Sequence, residues 1–435
     1  MRVDKNDEIK TGRYKLRKKH KRRQGEQIDR IKDRNFSNAF RGFIVVGIFI
    51  VTLLAVVVMG FNSLDESVYS KHIVPKARAE ETNRDYKAMT VIETNSMRIL
   101  SSYNETKKLP MASTTKIMTA ILTLERFEDL TQKFEVPVEA VGKEGTSIYL
   151  RRGEVLTIEE YLYGLMLPSA NDCAVALSII ISGSEEKFAD LMNDKAQELG
   201  LVSTHFVTAS GLHDTEHYTT SADLAKLSAY AMKNERFRKI VGTKKLTITG
   251  TTEDEPRHLK NKQKLMEDES LKQMGIEVSG VKSGFTPEAG RCLVTCASHE
   301  GMEVIVVLLN APNMFESTSE ILKEIFEEYE LKEITSAKKH ITTLPVLNGQ
   351  EKTVNLYTCE GFLYPLTKEE SAAIKILFDY PAYLTAPVVK DQQVGEMKIV
   401  LFDESLQTIP IYSIEEVGAE GVKENIDKIL RDFIQ

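Results

Sequence analysis

Residues 108–120 are KLPMASTTKIMTA, and the interpretation of the whole chain starts from this stretch. Apolar residues recur from Ser113 to about Phe127 at the spacing of one helical face, which predicts a helix there. Ser113 begins that helix, and Lys116, three residues later, lies on the same face, so a hydroxyl and an amine can meet. A nucleophile and a base in one helical turn need no histidine. The free N–H groups at the helix N-terminus also favour a developing oxyanion.

Two further short motifs turn this tetrapeptide into a candidate site. SAN at 169–171 precedes a predicted helix, and KSG at 282–284 ends a predicted strand. Taken alone, each motif has an ordinary structural explanation as a helix cap, a turn or the end of a strand. Together they follow a pattern, because SAN begins 53 residues after Lys116 and KSG begins 111 residues after Asn171. This order and spacing resembles that of the penicillin-binding and β-lactamase group of serine acyl-transferases.

The flanking segments predict an α+β domain. Residues 88–104, AMTVIETNSMRILSSYN, predict two short strands around a turn at Asn95-Ser96. The chain is then largely helical to about Ile240, with apolar stripes at 159–167, 174–181 and 185–199. Strand-like stretches return at 244–249, 278–282, 291–298 and 303–310, and a helix is predicted at 316–329. Strands at both ends with helices between them favour one sheet that joins the two ends of the domain.

One segment is apolar enough to cross a bilayer, which excludes a polytopic transporter. Residues 43–61, FIVVGIFIVTLLAVVVMGF, carry no charge, and a rise of about 1.5 Å per residue matches the thickness of a hydrocarbon core. The first 41 residues hold 15 Lys and Arg against 6 Asp and Glu, so residues 1–42 are predicted to stay in the cytoplasm and the rest outside. A cleaved signal peptide is the alternative, but the small-x-small site at 77–79 lies too far beyond the apolar run.

The remaining segments are assigned from their composition. Residues 62–84 mix charges, Ser and Asn without a period and are predicted to form a tether. A catalytic domain is predicted at 85–335 and a small β-rich domain at 338–417, where alternating stretches are separated by polar turns. Residues 418–435 predict a short amphipathic C-terminal helix with one apolar face.

The charge balance argues against nucleic acid as a partner. The chain carries a formal net charge of −7. This is the sum of +9 in the first 41 residues and −16 in the residues that follow. An acidic body lacks the basic face that a nucleic-acid-binding protein needs. Four cysteines in 435 residues do not make a disulfide scaffold. Cys292 and Cys296 lie in one predicted strand, roughly 13 Å apart and too far to be bridged.

Four residues could suggest a metal site, namely His205, His213, Asp214 and His217. Nitrogen and carboxylate ligands suit zinc. However, His213 and His217 lie in a stretch rich in Gly, Asp and Thr that has no helical pattern to hold a ligand geometry. A polar loop is the simpler interpretation, and neither a metal nor a cofactor is predicted.

Four segments together resemble one family, the low-molecular-weight D-alanyl-D-alanine carboxypeptidases. These penicillin-sensitive enzymes trim the stem peptides of peptidoglycan. The resemblance covers about Tyr86–Val417, and it implies a penicillin-binding or β-lactamase-like catalytic domain followed by a small all-β domain. The four segments are KLPMASTTKIMTA at 108–120, MLPSANDCAVALS at 166–178, FVTASGLHDTEHYTTSADLAKL at 206–227 and VSGVKSGFTPEAGRCLVTCA at 278–297.

The resemblance implies a role for each motif residue. Ser113 attacks the carbonyl between the two terminal D-alanines and forms an acyl-enzyme. Lys116 accepts the proton of Ser113, and we expect the nearby Lys282 and partial burial to favour the neutral form of Lys116. Ser169 relays a proton to the leaving D-alanine. Asn171 holds both Lys116 and the amide of the substrate.

The KSG motif is expected to bind the end of the substrate. Lys282 and the hydroxyl of Ser283 bind the terminal carboxylate, and Gly284 lets the substrate backbone lie against the strand. The backbone N–H groups of Ser113 and Phe285 form the oxyanion hole. Many relatives have threonine where Ser283 stands and several have histidine where Phe285 stands. Serine retains the hydroxyl and the role at 285 uses only backbone, so we expect function to be preserved.

The sequence therefore predicts a serine-type D-alanyl-D-alanine carboxypeptidase, anchored in the lipid bilayer by Phe43–Phe61 with its catalytic domain outside a bacterial cytoplasmic membrane. Its predicted partners are peptidoglycan pentapeptide stems and β-lactam inhibitors. A β-lactamase on the same fold is one alternative, although the chain between Asn171 and Lys282 offers no convincing extra carboxylate for fast deacylation. A catalytically inactive cell-wall-binding scaffold is the other.

Overall fold

The computed structural model describes residues 84–249 and 255–421. The predicted cytoplasmic segment 1–42, the predicted span 43–61 and nearly all of the predicted tether lie outside these ranges, as does most of the predicted C-terminal helix. Within the described ranges, no helix combines the length and the apolar character needed to cross a membrane.

Strands and helices follow one another along both described ranges and are numbered in chain order. The strands are β1 Ala88–Glu93, β2 Ile99–Tyr103, β3 Lys133–Glu135, β4 Val155–Thr157, β5 Lys245–Ile248, β6 Arg257–Lys260, β7 Glu277–Thr286, β8 Gly290–His299, β9 Met302–Leu309, β10 Glu330–Thr335, β11 His340–Leu347, β12 Thr353–Thr358, β13 Phe362–Leu366, β14 Ile374–Asp379, β15 Leu384–Thr385, β16 Gln392–Leu401 and β17 Glu404–Ser413. The α-helices are α1 Lys116–Arg126, α2 Ile158–Met166, α3 Asn171–Ser182, α4 Glu185–Glu198, α5 Ser221–Met232, α6 Glu235–Gly242, α7 Glu269–Gln273, α8 Met314–Glu328 and α9 Lys368–Ala373. Single 3-10 turns span Ala112–Thr115, Val138–Ala140 and Lys264–Glu267.

A five-stranded antiparallel sheet is the centre of the first domain. Its strand order is β2-β1-β9-β8-β7, so strands from the two ends of the domain lie side by side. The predicted α+β arrangement is therefore confirmed. β7 lies at one edge of this sheet, and the 3-10 turn that carries Ser113 packs against it.

The sheet is buried on both faces, which explains the continuous apolar run MEVIVVLL in β9. Side chains alternate along a strand, so Ile305 and Val307 face the core shared with helices α1 to α6, whereas Val304 and Val306 face the opposite core. That second core is closed by α7 and α8, which contribute apolar residues such as Leu271 and Leu322. A strand with one solvent-exposed face would show alternating polar residues instead.

The predicted β-rich C-terminal domain is also confirmed. Six strands form a sheet in the order β14-β16-β17-β12-β11-β15, and its core contains Leu356, Ile399 and Ile411. β10 pairs with β13, so strand Glu330–Thr335 hydrogen-bonds to the later part of the chain.

Two local expectations need correction. The predicted strand 278–282 continues to Thr286, so the KSG motif lies within β7 and pairs in register with β8, Gly284 opposite Cys292. The turn at Gly290 brings β8 back along the whole motif, which adds ladder hydrogen bonds beyond Lys282. Ser113 does not begin an α-helix directly, because it lies in the 3-10 turn Ala112–Thr115 and α1 begins at Lys116.

Candidate active site

Ser113 and Lys116 meet at the junction of the 3-10 turn and α1. The Nζ of Lys116 donates to the Oγ of Ser113 at 3.0 Å, as the spacing of three residues allows. The peptide that precedes Ser113 packs closely on β7, since a Cβ on Gly284 would lie 2.9 Å from the Ser113 nitrogen. The serine is thus placed between the helical cluster and the edge strand of the central sheet.

The ammonium group of Lys116 is held by two further acceptors that come from distant segments. It donates to the Oδ1 of Asn171 at 2.7 Å and to the backbone carbonyl of Ser210 at 2.6 Å. An ammonium has three donors, and with Ser113 these contacts use all three. The sequence did not predict the role of Ser210, because a backbone carbonyl carries no side-chain signal, although Ser210 lies in the segment 206–227 that contributes to the family resemblance.

Lys116 is completely buried, and this changes its acidity. Burial lowers the pKa of Lys116, the like-charge repulsion of the Lys262 ammonium adds to this effect, and together they bring the pKa to about 7. The sequence predicted Lys282 as the neighbouring charge. Burial, together with Lys116 and Lys262, lowers the pKa of Lys282 well below its usual range. The cation that lowers the pKa of Lys116 is therefore Lys262 rather than Lys282.

Lys262 itself was not predicted. It follows β6 in a polar run, LKNKQK, which is typical of a solvated loop and carries no catalytic signature. In the fold its Nζ approaches the Oγ1 of Thr146 at 3.3 Å, on the loop that also contacts Asn171. This places a third lysine beside the two that the motifs contribute.

Asn171 is the first residue of α3, and its amide is fixed at both ends. While its Oδ1 accepts from Lys116, its Nδ2 donates to the carbonyl of Glu144 at 2.8 Å, and its backbone N–H donates to Thr146 at 2.7 Å. Gly145, with a φ of 86°, allows this close approach, because a Cβ there would lie 2.6 Å from the Asn171 Nδ2. The loop thus holds the amide with its oxygen toward Lys116.

Ser169 lies two residues before α3 with a φ of 72°, a left-handed backbone conformation that is uncommon for serine, and its side chain is buried. The three donors of Lys116 are directed to Ser113, Asn171 and Ser210, so Ser169 is near this cluster in sequence but does not receive a hydrogen bond from Lys116.

The KSG motif runs along the edge of the sheet beside Ser113. Lys282 is buried and its Nζ lies 2.9 Å from the carbonyl oxygen of Ser283. Gly284 faces the turn that carries Ser113. Phe285 follows with 64% of its side chain exposed, so an aromatic ring borders the outer end of the motif. The motif therefore presents a buried amine, a hydroxyl and the backbone of an edge strand.

Residues 211–217 form a loop, as predicted, but His217 is buried within it. His217 is buried and its Nε2 lies 2.7 Å from the Oγ1 of Thr115, directly behind the Ser113 turn. Among residues 84–249 and 255–421, no group of three or more His, Cys, Asp or Glu side chains is arranged to hold a metal ion. Cys173, Cys292 and Cys296 are free and buried, and Cys359 is free and exposed.

The class of the protein follows from this site on this fold. A serine, a buried lysine whose pKa lies near neutrality and an asparagine meet beside the edge strand of an antiparallel sheet covered by helices. A β domain follows the catalytic domain. These features together define a penicillin-binding protein of low molecular weight.

Comparison with known proteins assigns the family. Residues 76–313 match the family described as D-alanyl-D-alanine carboxypeptidase, and residues 329–419 match the C-terminal domain of penicillin-binding protein 5. The chain belongs to the D-alanyl-D-alanine carboxypeptidase family and is a serine-type carboxypeptidase. It is 30% identical to the D-alanyl-D-alanine carboxypeptidase DacF of Bacillus subtilis over 82% of this chain and 92% of that protein. It is 28% identical to DacD of Escherichia coli over 74% of this chain and 84% of that protein.

Solved structures agree with the fold. Penicillin-binding protein 5 from Haemophilus influenzae superposes with a TM-score of 0.65 at 24% identity, over 78% of this chain and 99% of that one. A Streptomyces DD-transpeptidase mutant matches with a TM-score of 0.53 at 29% identity, over 57% of this chain and all of that one. The first match spans both domains and the second is limited to little more than half of the chain.

Proposed function

We propose that Ser113 is the nucleophile of this carboxypeptidase and that Lys116 is its general base. The supporting observation is the 3.0 Å contact between the Ser113 Oγ and a buried Nζ whose pKa is lowered to about 7. A bond forms between the Ser113 oxygen and the carbonyl carbon of the penultimate D-alanine, and the bond to the terminal D-alanine nitrogen breaks. The proton of Ser113 passes to Lys116 and on to the leaving amine. Water then hydrolyses the ester and restores the Ser113 hydroxyl.

Lys282 and Ser283 are proposed to bind the carboxylate of the terminal D-alanine. Lys262 lies close enough to Lys116 and Lys282 for like-charge repulsion to lower the pKa of both, so an anion between the three lysines relieves repulsion. A bound carboxylate raises the pKa of Lys282 again and stabilises its ammonium form. An uncapped chain end, rather than an internal peptide, supplies that anion, which favours trimming of stem-peptide ends.

The remaining roles concern orientation and proton transfer. The substrate backbone extends past Gly284 along the edge of β7 that has no neighbouring strand in the sheet. The backbone N–H groups of Ser113 and Phe285 stabilise the oxyanion. Asn171 orients Lys116 and the substrate amide, and Ser169 relays a proton to the leaving D-alanine.

The test is covalent labelling of the full chain with a fluorescent penicillin, followed by mass spectrometry of the labelled peptide. We expect one adduct, on Ser113, and none on Ser113→Ala. Ser270→Ala is the matched control, because Ser270 lies on α7 on the opposite side of the central sheet and is exposed. An adduct that survives in Ser113→Ala, or that maps to another residue, contradicts the proposal.

A second assay separates carboxypeptidase activity from β-lactamase activity. Stem pentapeptide is added to the full chain and released D-alanine is measured, while the lifetime of the penicillin adduct is followed in parallel. We expect D-alanine release together with a long-lived adduct. Fast loss of the adduct without D-alanine release would favour a β-lactamase.

The proposed location is the outer face of a bacterial cytoplasmic membrane. The support comes from the sequence, namely the uncharged run 43–61 and the basic residues before it. We expect the full chain to remain in the membrane fraction after an alkaline carbonate wash. Protease added to spheroplasts is expected to remove a C-terminal epitope and to leave an N-terminal one intact. Recovery of both epitopes after protease treatment would contradict this orientation.

A further inference from the structure

His217 is the buried titratable group that the proposed mechanism does not use. Its side chain is 2% exposed, and its Nε2 lies 2.7 Å from the Oγ1 of Thr115. The same Oγ1 donates to the carbonyl oxygen of Ala112 at 2.8 Å. These three groups form a continuous chain of hydrogen bonds that ends one residue before Ser113.

The direction of each hydrogen bond follows from the acceptors. The backbone N–H groups of Val207 and Thr208 point at the Nδ1 of His217, at 2.9 Å and 3.3 Å, so Nδ1 is an acceptor. The ring proton is therefore on Nε2 and is donated to Thr115, whose own proton goes to Ala112. Burial lowers the pKa of His217 to about 4, so the ring is neutral near pH 7 and its Nδ1 carries no proton.

The peptide between Ala112 and Ser113 connects this chain of hydrogen bonds to the proposed oxyanion hole. A trans peptide is planar, so the Ala112 carbonyl and the Ser113 N–H point in opposite directions. Ala112 has a φ of 49°, uncommon for alanine, and its carbonyl lies against Gly211, where a Cβ would approach to 2.0 Å. The Ser113 nitrogen faces Gly284 on the other side. The contacts that hold the Ala112 carbonyl therefore also orient the Ser113 N–H toward β7, along which the substrate is proposed to bind.

We propose that His217 is a positioning residue for the oxyanion hole, acting through Thr115 on the peptide that carries the Ser113 N–H. This inference rests on the proposed role of that N–H. The described hydrogen bonds of the imidazole go to Thr115, Val207 and Thr208, so it acts through the backbone rather than on the hydroxyl of Ser113. Loosening the peptide weakens the stabilisation of the oxyanion, which forms only during reaction, and leaves ground-state binding unchanged.

Thr115→Val is the sharpest variant, because it removes the hydroxyl at nearly constant shape, and Thr115→Ser is its matched control. The measurement is the rate of acylation of the full chain over a range of penicillin concentrations, which separates the limiting rate from the dissociation constant. Removing one oxyanion-hole donor outright costs about 100- to 1000-fold, so for a loosened donor we expect about 10- to 100-fold slower acylation. The dissociation constant should change less than about twofold, and Thr115→Ser should acylate at nearly the wild-type rate.

His217→Asn tests the other end of the chain. Its amide oxygen replaces Nδ1 as the acceptor for Val207 and Thr208, but it places no donor at Thr115. We expect the same loss in limiting rate, and the double variant with Thr115→Val should lose no more than either single variant, because both break one chain. His217→Asn also serves if Thr115→Val is unfolded at the assay temperature, which thermal unfolding reveals.

The outcomes distinguish this inference from the proposed function. Wild-type acylation rates in folded Thr115→Val, a loss confined to the dissociation constant, or additive losses in the double variant would each overturn the role of His217. Absence of an adduct on the wild-type chain would instead overturn the role of Ser113, whatever the variants do.

Discussion

Lys116 shows how the tertiary environment changes the chemistry of a single residue. An amine with a pKa near 10.5 is almost fully protonated at neutral pH and is a poor base. Burial and the Lys262 ammonium bring that pKa to about 7, while Asn171 and the Ser210 carbonyl hold the Nζ at the Ser113 hydroxyl. Desolvation therefore supplies the reactivity, and the hydrogen bonds supply the orientation.

This acidity predicts the pH dependence of acylation. Only the neutral amine accepts a proton, so the acylation rate constant should rise about tenfold per pH unit well below pH 7 and level off above it. Lys262→Gln removes a repelling charge and raises the pKa of Lys116, so the rising limb moves to higher pH and the rate at pH 6 falls about two- to fivefold. Lys264→Gln is the control, because its ammonium stacks on Phe315. An unshifted limb in Lys262→Gln would exclude this electrostatic account.

At the scale of elements, the site depends on how closely the 3-10 turn packs on β7. Gly284 lies where the two meet, and a Cβ there would approach the Ser113 nitrogen to 2.9 Å and the Ala112 Cβ to 3.1 Å. The third neighbour is the backbone oxygen of Met111 at 3.2 Å, so two of the three atoms belong to backbone and have little freedom to move aside. The glycine of KSG is thus required by the packing of the 3-10 turn on β7.

Gly284→Ala tests that packing. Alanine normally suits a strand better than glycine, but here the added methyl group forces the turn away from the strand. We expect a free energy of unfolding lower by about 1–3 kcal/mol and acylation slower by more than about 100-fold. Gly242→Ala is the control, because the nearest atom to its Cβ is 3.6 Å away at the end of α6. Normal acylation by Gly284→Ala would show that the turn can relax without loss.

A second contact at the scale of elements joins the loop that precedes β4 to α3, and it depends on the buried carboxylate of Asp172. That carboxylate accepts from the backbone N–H groups of Ile148 and Leu150, at 3.2 Å and 3.0 Å, and from the hydroxyl of Ser147 at 2.5 Å. Because Asn171 is its neighbour, the same turn of α3 orients both the loop and Lys116. The loop that contacts Asn171 is thereby tied to the helix that begins with it.

Asp172→Asn replaces one acceptor oxygen by a donor that faces other donors. We expect the free energy of unfolding to fall by about 2–3 kcal/mol, because a buried hydrogen-bonded carboxylate is lost without a new partner. Urea unfolding followed by circular dichroism measures this loss. Asp190→Asn on the exposed face of α4 should change stability by less than about 0.5 kcal/mol. Equal stability of the two variants would contradict the conclusion that the Asp172 carboxylate stabilises the loop.

At the scale of the whole described unit, one arginine joins the two domains. Arg98, at the β1–β2 turn, is fully buried and pairs with the carboxylate of Glu370 on α9, while also donating to the carbonyl of Pro365. Its guanidinium stacks between Tyr329 and Tyr364, with centroid distances of 5.4 Å and 5.1 Å. Because these contacts join the β1–β2 turn to the β domain, they fix the orientation of the β domain relative to the catalytic sheet.

Arg98→Met removes this connection and leaves the Glu370 carboxylate without its cation. Breaking a buried pair on one side typically costs about 3–5 kcal/mol, so we expect a lower unfolding temperature and separate transitions for the two domains in calorimetry. Penicillin acylation of the folded variant should remain near normal. Lys375→Ala, which breaks the exposed pair with Asp403, should cost less than about 1 kcal/mol. A single, unshifted transition in Arg98→Met would contradict the role of Arg98.

Several features were predictable because they depend on neighbours along the chain. The i, i+3 spacing alone places Ser113 beside Lys116, and an unbroken apolar run alone indicates that β9 is covered on both faces. The extension of β7 through the KSG motif was not predicted, because it depends on pairing with β8 beyond Gly290. The 3-10 turn at Ser113 was missed because its helical period is nearly that of the α-helix that follows it.

The sequence by itself determined the family, the order of the elements and the residue types available for acyl transfer, since motifs, periodicity and composition are local properties. The tertiary structure alone decided that the cation acting on Lys116 is Lys262, that the Ser210 carbonyl completes its hydrogen bonds, and that His217 stands behind the Ser113 turn. Those outcomes depend on burial and on contacts between segments that lie 94 to 146 residues apart, and no periodicity along the chain encodes either.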